Sequence, residues 1–321
     1  MRITIVGAGA IGTTLAVRLA LAGHDVAVIA RGATLQAIRT RGLRLHDLQG
    51  THVAQPRAAE DPAALGPQEL VFICTKTTAL ADVLPALGPL LTPQTIVVPA
   101  INGVPWWYFE GTGKQVPPLS ALDPHGALAA ALPSGHLLGC VVYITAETLA
   151  AGVVRAGNPH RLIVGEIEHR STTRAARVAQ CLTAAGIATE ATDRIRDHVW
   201  TKILANLSSN PLSVLTGATL EQIYGQPALQ PVVKKILGEA MLTAAAYGAR
   251  LPLDPDAFIA RGAQMGAVRT SMLQDYEQGR PLELAAIGDA VLELAARKGI
   301  PMPTTADILA LTRLRGANRH G

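Results

Sequence analysis

The sequence predicts an α/β N-terminal domain, its sheet mostly parallel with antiparallel additions, followed by an all-α C-terminal domain. Three observations lead there. Short apolar runs alternate with helical patterns through the first half, as in a parallel sheet covered on both faces by helices. The turn between the first strand and the first helix is Gly7-Ala8-Gly9-Ala10-Ile11-Gly12. From Arg194 onward the pattern is almost wholly helical.

Residues 2–6 (RITIV) form a buried strand by this reading, and a helix follows from about 13 to 22. Gly23-His24 ends that helix, and residues 26–29 are the second strand. A short helix covers 35–41, and 43–45 with 52–54 suggests a hairpin. Residues 70–74 and 95–98 are further buried strands. Two β-like runs, 139–145 and 161–165, lack a good crossover helix between them and are expected as antiparallel additions. A helix at 172–185 and a strand near 187–191 complete the first domain. Helices are then expected at about 195–210, 219–224, 228–248, 254–263, 271–277, 282–298 and 304–316. The boundary falls at Thr192-Asp193, dividing the chain into 1–193 and 194–321.

Composition narrows the function classes. The chain of 321 residues is 49% hydrophobic but 3% aromatic, so its cores are aliphatic. Charged residues make up 16% and the net charge is +4, with Lys and Arg dispersed rather than striped. That suits a protein handling small anions and argues against a nucleic-acid partner. Cys74, Cys140 and Cys181 form no C-x-x-C pair, so free thiols in a reducing, cytoplasmic setting are expected and a zinc site is not. The apolar run from Ile3 to Val17 is too short to span a bilayer, and Leu84 to Phe109 is broken by five prolines, so no membrane partner is expected.

The motif Gly7, Ala8, Gly9, Ala10, Ile11, Gly12 follows a strand and opens a helix, the context in which it binds a dinucleotide. The first glycine permits the tight turn and the second lets the backbone approach a pyrophosphate. The third packs helix on strand, and the helix N-terminus supplies N–H donors for the anion. The second strand ends Val28-Ile29-Ala30-Arg31-Gly32 with no Asp or Glu for a ribose 2′-hydroxyl. A guanidinium there suits a 2′-phosphate, which favours NADP(H) over NAD(H). The alternative is a solvated arginine at a strand end. Lys76 and Asn102 follow the third and fourth apolar strands, where ligands of such sheets sit; either can also be ordinary loop chemistry.

The stretch Trp200-Thr-Lys-Ile-Leu-Ala-Asn-Leu-Ser-Ser-Asn-Pro211 holds Lys202, Asn206 and Asn210 at steps of four. On a helix this makes one polar stripe flanked by Ile203, Leu204 and Leu207, where polar groups cost free energy unless paired or ligand-bound. Hydride addition to a ketone creates an alkoxide that needs a proton and charge stabilisation together. A partly buried lysine supplies both, and the asparagines can hold substrate oxygens. The alternative is an amphipathic helix with a salt-bridged lysine. Pro211 removes an N–H and disfavours α geometry at Asn210, so the helix is expected to kink or end there. Ser271-x-x-Gln274 reads equally well as a capping box, and Glu283 as an acid favoured at a helix start.

Taken together, GAGAIG, Arg31, TK at 75–76, NG at 102–103, WTKILANLSSNPLS at 200–213, SMLQD at 271–275 and PLE at 281–283 make the chain resemble the ketopantoate reductases over nearly its whole length. The resemblance implies an N-terminal Rossmann domain, a helical C-terminal domain and an active site in the cleft between them. It implies NADPH-dependent reduction of 2-dehydropantoate to (R)-pantoate, on the route to pantothenate and coenzyme A. By position, Lys202 matches the catalytic lysine, and Asn206 and Asn210 the substrate-binding asparagines. Asn102 matches the asparagine near nicotinamide and substrate, and Ser271 the serine that holds the carboxylate. Glu283 matches the acid near the substrate hydroxyl and the lysine, and Lys76 a lysine that contacts the cofactor. A homodimer is compatible with this reading, and no metal is implied.

Two departures from the family pattern stand out. After Glu283 the family often continues Ile-Asp, whereas this chain reads Leu284-Ala285-Ala286. The segment Val104-Pro-Trp-Trp-Tyr-Phe109 is unusually aromatic: either a hydrophobic loop packed on the sheet or against a second subunit, or a pocket wall that changes which 2-oxo acid fits. Two other functions stay open: reduction of a different branched 2-oxo acid, and a cofactor-binding sensor without turnover.

Overall fold

Residues 1–319 are described in a computed structural model of the chain. They form two compact units. The first comprises Met1–Ile101, Phe109–Val116 and Gly126–Ile195; the second comprises Asn102–Tyr108, Pro117–His125 and the chain from Arg196 onward. The sequence-based boundary at 193 lies two residues from the last of these crossings, but it missed the two earlier excursions.

In the first unit, β1 (Arg2–Val6), α1 (Ala10–Leu21), β2 (Asp25–Ile29) and α2 (Gly32–Arg41) follow one another. A hairpin, β3 (Leu43–Asp47) and β4 (Gly50–Ala54), leads to β5 (Arg57–Ala59), β6 (Leu70–Ile73) and, after the one-turn helix α3 (Leu80–Val83), to β7 (Ile96–Pro99). The five-stranded sheet runs in the order β5-β2-β1-β6-β7 and is parallel throughout. Both faces are covered, which is why β6 and β7 are continuous buried runs rather than alternating ones. The core is aliphatic, with Ile3, Ile5, Leu15, Leu19, Val28, Leu70 and Val98 among its members.

A short helix, α4 (Ala127–Ala131), precedes β8 (Gly139–Val142), β9 (Ala146–Ala150), β10 (Val153–Ala156), β11 (Arg161–Gly165), α5 (Thr173–Ala184) and β12 (Ala188–Thr192). The expected antiparallel pairing of the two later runs is present between β8 and β11. With β12 they form a three-stranded sheet, and a bridge just before β8, Leu138 N–H to the Val97 carbonyl at 2.9 Å, joins it to the edge of the parallel sheet. A further sheet, β4-β3-β10-β9, contains a hairpin at 146–156 that the sequence did not announce, because β9 has no buried position to create an alternating pattern. Helix α1 packs against β3 and β10 of this sheet, where the Arg18 guanidinium meets the buried Asp47 carboxylate. His52 Nε2 lies 3.1 Å from the other Asp47 oxygen.

The second unit is built on α6 (Ile195–Thr216), α7 (Leu220–Gly225), α8 (Gln230–Ala246), α9 (Pro255–Gly262), α10 (Ser271–Glu277), α11 (Ala290–Ala296) and α12 (Pro303–Ala317). A single π-turn, Ala285–Asp289, opens α11, so the helix expected at 282–298 is not regular α along its length. Gly288 lies on this turn, and a Cβ there would come within 2.5 Å of Leu309, so α12 packs directly on it. The two excursions from the first half are fastened here. Glu293 accepts the Ser120 and Ala121 N–H groups, each at 3.0 Å, and Arg297 donates to the Pro117 and Pro118 carbonyls. Among the described residues no helix is long and apolar enough to cross a membrane.

Candidate active site

The glycine-rich turn performs three separate jobs in the first unit. Gly7 has φ +98°, a conformation that L side chains avoid, and a Cβ would approach Thr75 Cγ2 to 2.8 Å. Gly12 packs α1 against the turn so closely that a Cβ would fall 1.9 Å from the Gly7 carbonyl oxygen. A Cβ on Gly9 would meet nothing within 4 Å, so only here does the missing side chain leave open space beside the backbone. Ala8, Ala10 and Ile11 complete the turn and the first helical residues, whose N–H groups have no partner within the helix. Beside this turn the Thr75 hydroxyl is buried with no hydrogen-bond partner among the described residues. An open glycine, a helix N-terminus and an unsatisfied hydroxyl fit a bound dinucleotide phosphate. Arg31 is exposed in extended backbone immediately before α2, and Lys76 is half-buried three residues beyond β6.

In the second unit, α6 carries Lys202, Asn206 and Asn210 on one stripe. Its neighbours Ile203, Leu204 and Leu207 are buried. Lys202 retains some accessible surface but is densely surrounded, and burial pulls its pKa from the ordinary lysine value down to about 8. The Asn206 and Asn210 side-chain amides each hold a buried Nδ2 with no hydrogen-bond partner among the described residues. Amide N–H groups are rarely left so, since each costs its full desolvation penalty.

The helix does not end at Asn210; it continues through Pro211 to Thr216. Pro211 has no N–H, so the ladder bond lost is the one to the Leu207 carbonyl, four residues back. Beyond it, Ser213 Oγ donates to the Asn210 carbonyl at 2.6 Å, and Thr312 Oγ1, which bonds the Ile308 carbonyl at 2.7 Å, lies 3.4 Å from the Pro211 carbonyl oxygen.

Ser271 is not the helix cap that its capping-box spacing suggested. Thr270 caps α10, its Oγ1 accepting the Leu273 N–H at 3.1 Å, while the Gln274 amide bonds to the Arg269 carbonyl. Ser271 is therefore the first helical residue, with its exposed hydroxyl released from capping. Thr270 Oγ1 also lies 2.6 Å from Ser213 Oγ, tying the start of α10 to the turn after Asn210.

Glu283 is half-buried just before the π-turn, and its carbonyl accepts the Ile287 N–H at 3.2 Å. Asn102 follows β7 but belongs to the helical unit rather than to the sheet domain. The reason is local. Gly103, at φ +81°, presses on the π-turn so tightly that a Cβ would lie 2.4 Å from the Ala286 carbonyl oxygen, to which Val104 N–H donates at 2.8 Å. Asn102 and Glu283 are thus attached to the same turn.

Of the aromatic segment, Trp106, Trp107 and Tyr108 are buried and belong to this helical unit, not to the sheet on which the packing reading placed them. Trp106 and Trp107 are 6% and 1% exposed. Arg196 stacks over Trp107 at 5.8 Å and donates Nε–H to the Tyr108 carbonyl at 2.9 Å. Trp200 Nε1 donates to the Tyr108 hydroxyl at 2.7 Å, and burial pushes that phenol up to about 12. Sequence reasoning gave no role to Ser213, Thr270 or Thr75. Ser213 and Thr75 had a signal, as members of the motifs at 200–213 and 75–76.

The first unit therefore carries the glycine turn, Arg31 and Lys76, and the second carries Lys202, Asn206, Asn210, Asn102, Ser271 and Glu283. Comparison with known proteins gives the family. Residues 3–169 match the ketopantoate reductase PanE/ApbA family model, and residues 194–316 match the model of its C-terminal domain. A 2-dehydropantoate 2-reductase of Mesorhizobium japonicum is 39% identical, with 99% of each chain covered. A Ralstonia solanacearum crystal structure, provisionally described as a ketopantoate reductase, superposes with a TM-score of 0.94 at 42% identity, covering 99% of this chain and 98% of that one. D-mandelate dehydrogenase, solved with NADH and anilino(oxo)acetate, shares the fold at a TM-score of 0.86 and 19% identity over the full length of both chains. With both domains matched and a full-length relative at this identity, the chain belongs to the ketopantoate reductase family, oxidoreductases that act on a CH–OH group.

Proposed function

We propose that the protein reduces 2-dehydropantoate to (R)-pantoate with NADPH, Lys202 serving as the general acid. The observation that carries this reading is the α6 stripe: a lysine with a pKa near 8 beside two buried, unsatisfied asparagine amides on an otherwise apolar helix. A structural helix gains nothing from stranded amides, whereas an oxygen-rich substrate would satisfy them.

When bound, NADPH supplies a hydride to the C2 carbonyl carbon. The C=O π pair moves onto oxygen, and Lys202 Nζ–H delivers the proton there as the charge develops. Its lowered pKa keeps the proton available yet transferable near neutrality. Asn206 and Asn210 donate to substrate oxygens without adding charge, and Ser271 holds the carboxylate. Glu283 accepts from the 4-hydroxyl and orients the lysine, while Asn102 holds the substrate beside the nicotinamide. The Gly7–Gly12 turn, with Thr75 and Lys76, holds the dinucleotide, and Arg31 pairs with its 2′-phosphate. Three free thiols suit a reducing, cytoplasmic compartment.

The decisive comparison is kcat/KM for 2-dehydropantoate against its analogue without the 4-hydroxyl, followed by loss of NADPH absorbance. A site built to pair that hydroxyl should reject the deoxy analogue by up to about 10⁴–10⁵-fold, because its own polar groups would be stranded. Preference for the deoxy compound would overturn the pantoate assignment and select the second reading, a reductase of a bulkier or less hydroxylated 2-oxo acid. That alternative draws on the buried Trp106-Trp107 pair near Asn102. No turnover on any 2-oxo acid would return the chain to a cofactor-binding sensor.

Cofactor choice is tested at Arg31. A charge-assisted phosphate contact contributes roughly 1.5–3 kcal/mol, so Arg31→Ala should weaken NADPH binding by about ten- to a hundred-fold and NADH binding far less. Equal losses for both cofactors in a fluorescence titration would show that the arginine does not read the phosphate.

A further inference from the structure

We propose that Ser213 and Thr270 form a positioning pair that holds Asn210 and Ser271 in mutual register for the substrate. The inference rests on the reading of those two residues as substrate ligands. It begins from three linked hydrogen bonds in the interior of the helical unit. Ser213 Oγ lies 2.6 Å from the Asn210 carbonyl oxygen and 2.6 Å from Thr270 Oγ1, and Thr270 Oγ1 is 3.1 Å from the Leu273 amide nitrogen. Ser213 is fully buried and Thr270 nearly so.

Counting protons gives the chain a direction. A carbonyl only accepts, so the single Ser213 proton goes to Asn210. Thr270 must then donate its proton to Ser213 Oγ, while its lone pair takes the Leu273 N–H. Every hydroxyl proton in the chain is committed, and either end shifts only if the other follows.

Both ends lie where positioning is needed. Asn210 precedes Pro211, whose missing N–H removes the ladder bond to the Leu207 carbonyl, one turn back. In the turn beyond it the Ser213 hydroxyl donates to the Asn210 carbonyl. At the other end Thr270 is the cap that defines where α10 begins, and Ser271 is its first residue. The pair thus joins two segments 57 residues apart, each bearing a proposed substrate contact. Apolar packing alone would tolerate sliding of one helix over the other, whereas the short hydrogen bond between Ser213 and Thr270 fixes their spacing at that point. A misplacement of about 1 Å is enough to cost on the order of 10²-fold in rate.

The test uses Ser213→Ala, Thr270→Val and Thr270→Ser in the full-length protein, with Thr216→Ala as the control. Thr216 Oγ1 makes a comparable bond to the Leu212 carbonyl at 2.7 Å on the same helix, outside the chain. The measurements are kcat and KM for 2-dehydropantoate, Kd for NADPH, and Tm. Ser213→Ala and Thr270→Val should each lower kcat/KM by roughly 10- to 10²-fold with Kd for NADPH unchanged. The double variant should be no worse than either single one, because both break one chain. Thr270→Ser, which keeps the hydroxyl, should stay within about 3-fold of wild type, and Thr216→Ala should move Tm alone.

A kcat/KM within about 3-fold of wild type in folded Ser213→Ala and Thr270→Val, with Tm lowered as in Thr216→Ala, would overturn the proposal. If Ser213→Ala does not fold, Thr270→Val against Thr270→Ser decides it by the same criterion. Asn210→Ala and Ser271→Ala separate the two levels of argument. Loss of activity in these with normal kinetics in Ser213→Ala rejects the positioning pair alone; normal kinetics in both rejects the substrate assignment and the pair with it.

Discussion

Replacing Lys202 by alanine is expected to lower kcat by at least about 10²-fold, the scale of a positioned acid, with Kd for NADPH nearly unchanged. The pH profile carries the same signature. Only the ammonium form donates, so kcat should be flat below about pH 8 and fall as pH rises through the pKa of about 8 that burial imposes. The stability sign runs the other way. The folded pKa lies below the unfolded value, so the cost of holding the charge is present in full below about pH 8 and is relieved as pH rises towards the ordinary lysine range. Lys202→Met, which keeps the apolar stem and removes the charge, should therefore fold as well as wild type at neutral pH while losing turnover. Near-normal kcat in either folded variant would return the stripe to a structural role.

Gly12→Ala should have the largest effect on the fold. Its methyl group would sit 1.9 Å from the Gly7 carbonyl oxygen and 3.1 Å from Cys74 Cβ, in a part of the core where one neighbour is backbone. No rotamer relieves that overlap, so α1 must lift from the sheet. Overpacking usually costs about 1–3 kcal/mol, and a clash with backbone belongs at or beyond the upper end. Denaturant unfolding should show a large loss, and dinucleotide binding should vanish with the displaced helix N-terminus. Gly9→Ala is the informative contrast, because its methyl meets open space in the protein. It should leave Tm unchanged and weaken NADPH binding by occupying the place of the pyrophosphate. Unchanged affinity in Gly9→Ala would remove the phosphate from that turn, and a normal unfolding midpoint in Gly12→Ala would refute the contact.

These variants also mark what kind of information the chain displays openly. The three glycines of the first turn are legible because each role follows from local backbone geometry: a left-handed φ at Gly7, open space at Gly9, close packing at Gly12. The Lys202-Asn206-Asn210 stripe is legible because helical periodicity puts those residues on one face whatever surrounds them. Short continuous apolar runs reveal the buried strands of the parallel sheet, and periodicity the span of α10. It fails at β9, where an exposed strand gives no alternation to detect.

By itself, the sequence determined the elements whose signals lie within one turn or one strand: the glycine turn, the parallel strands, the polar stripe and the helical second half. Tertiary structure decided four matters. It made Thr270 rather than Ser271 the cap of α10, and it carried α6 through Pro211 to Thr216. It brought Asn102 to the helical unit, and it buried the aromatic segment against Arg196 and Trp200. In three of these the deciding partner is distant in sequence: Ser213 for Thr270, Ala286 for Gly103 and Trp200 for Tyr108. A hydroxyl or a glycine has several local conformations of similar free energy, and a long-range contact of about 1 kcal/mol is enough to choose among them.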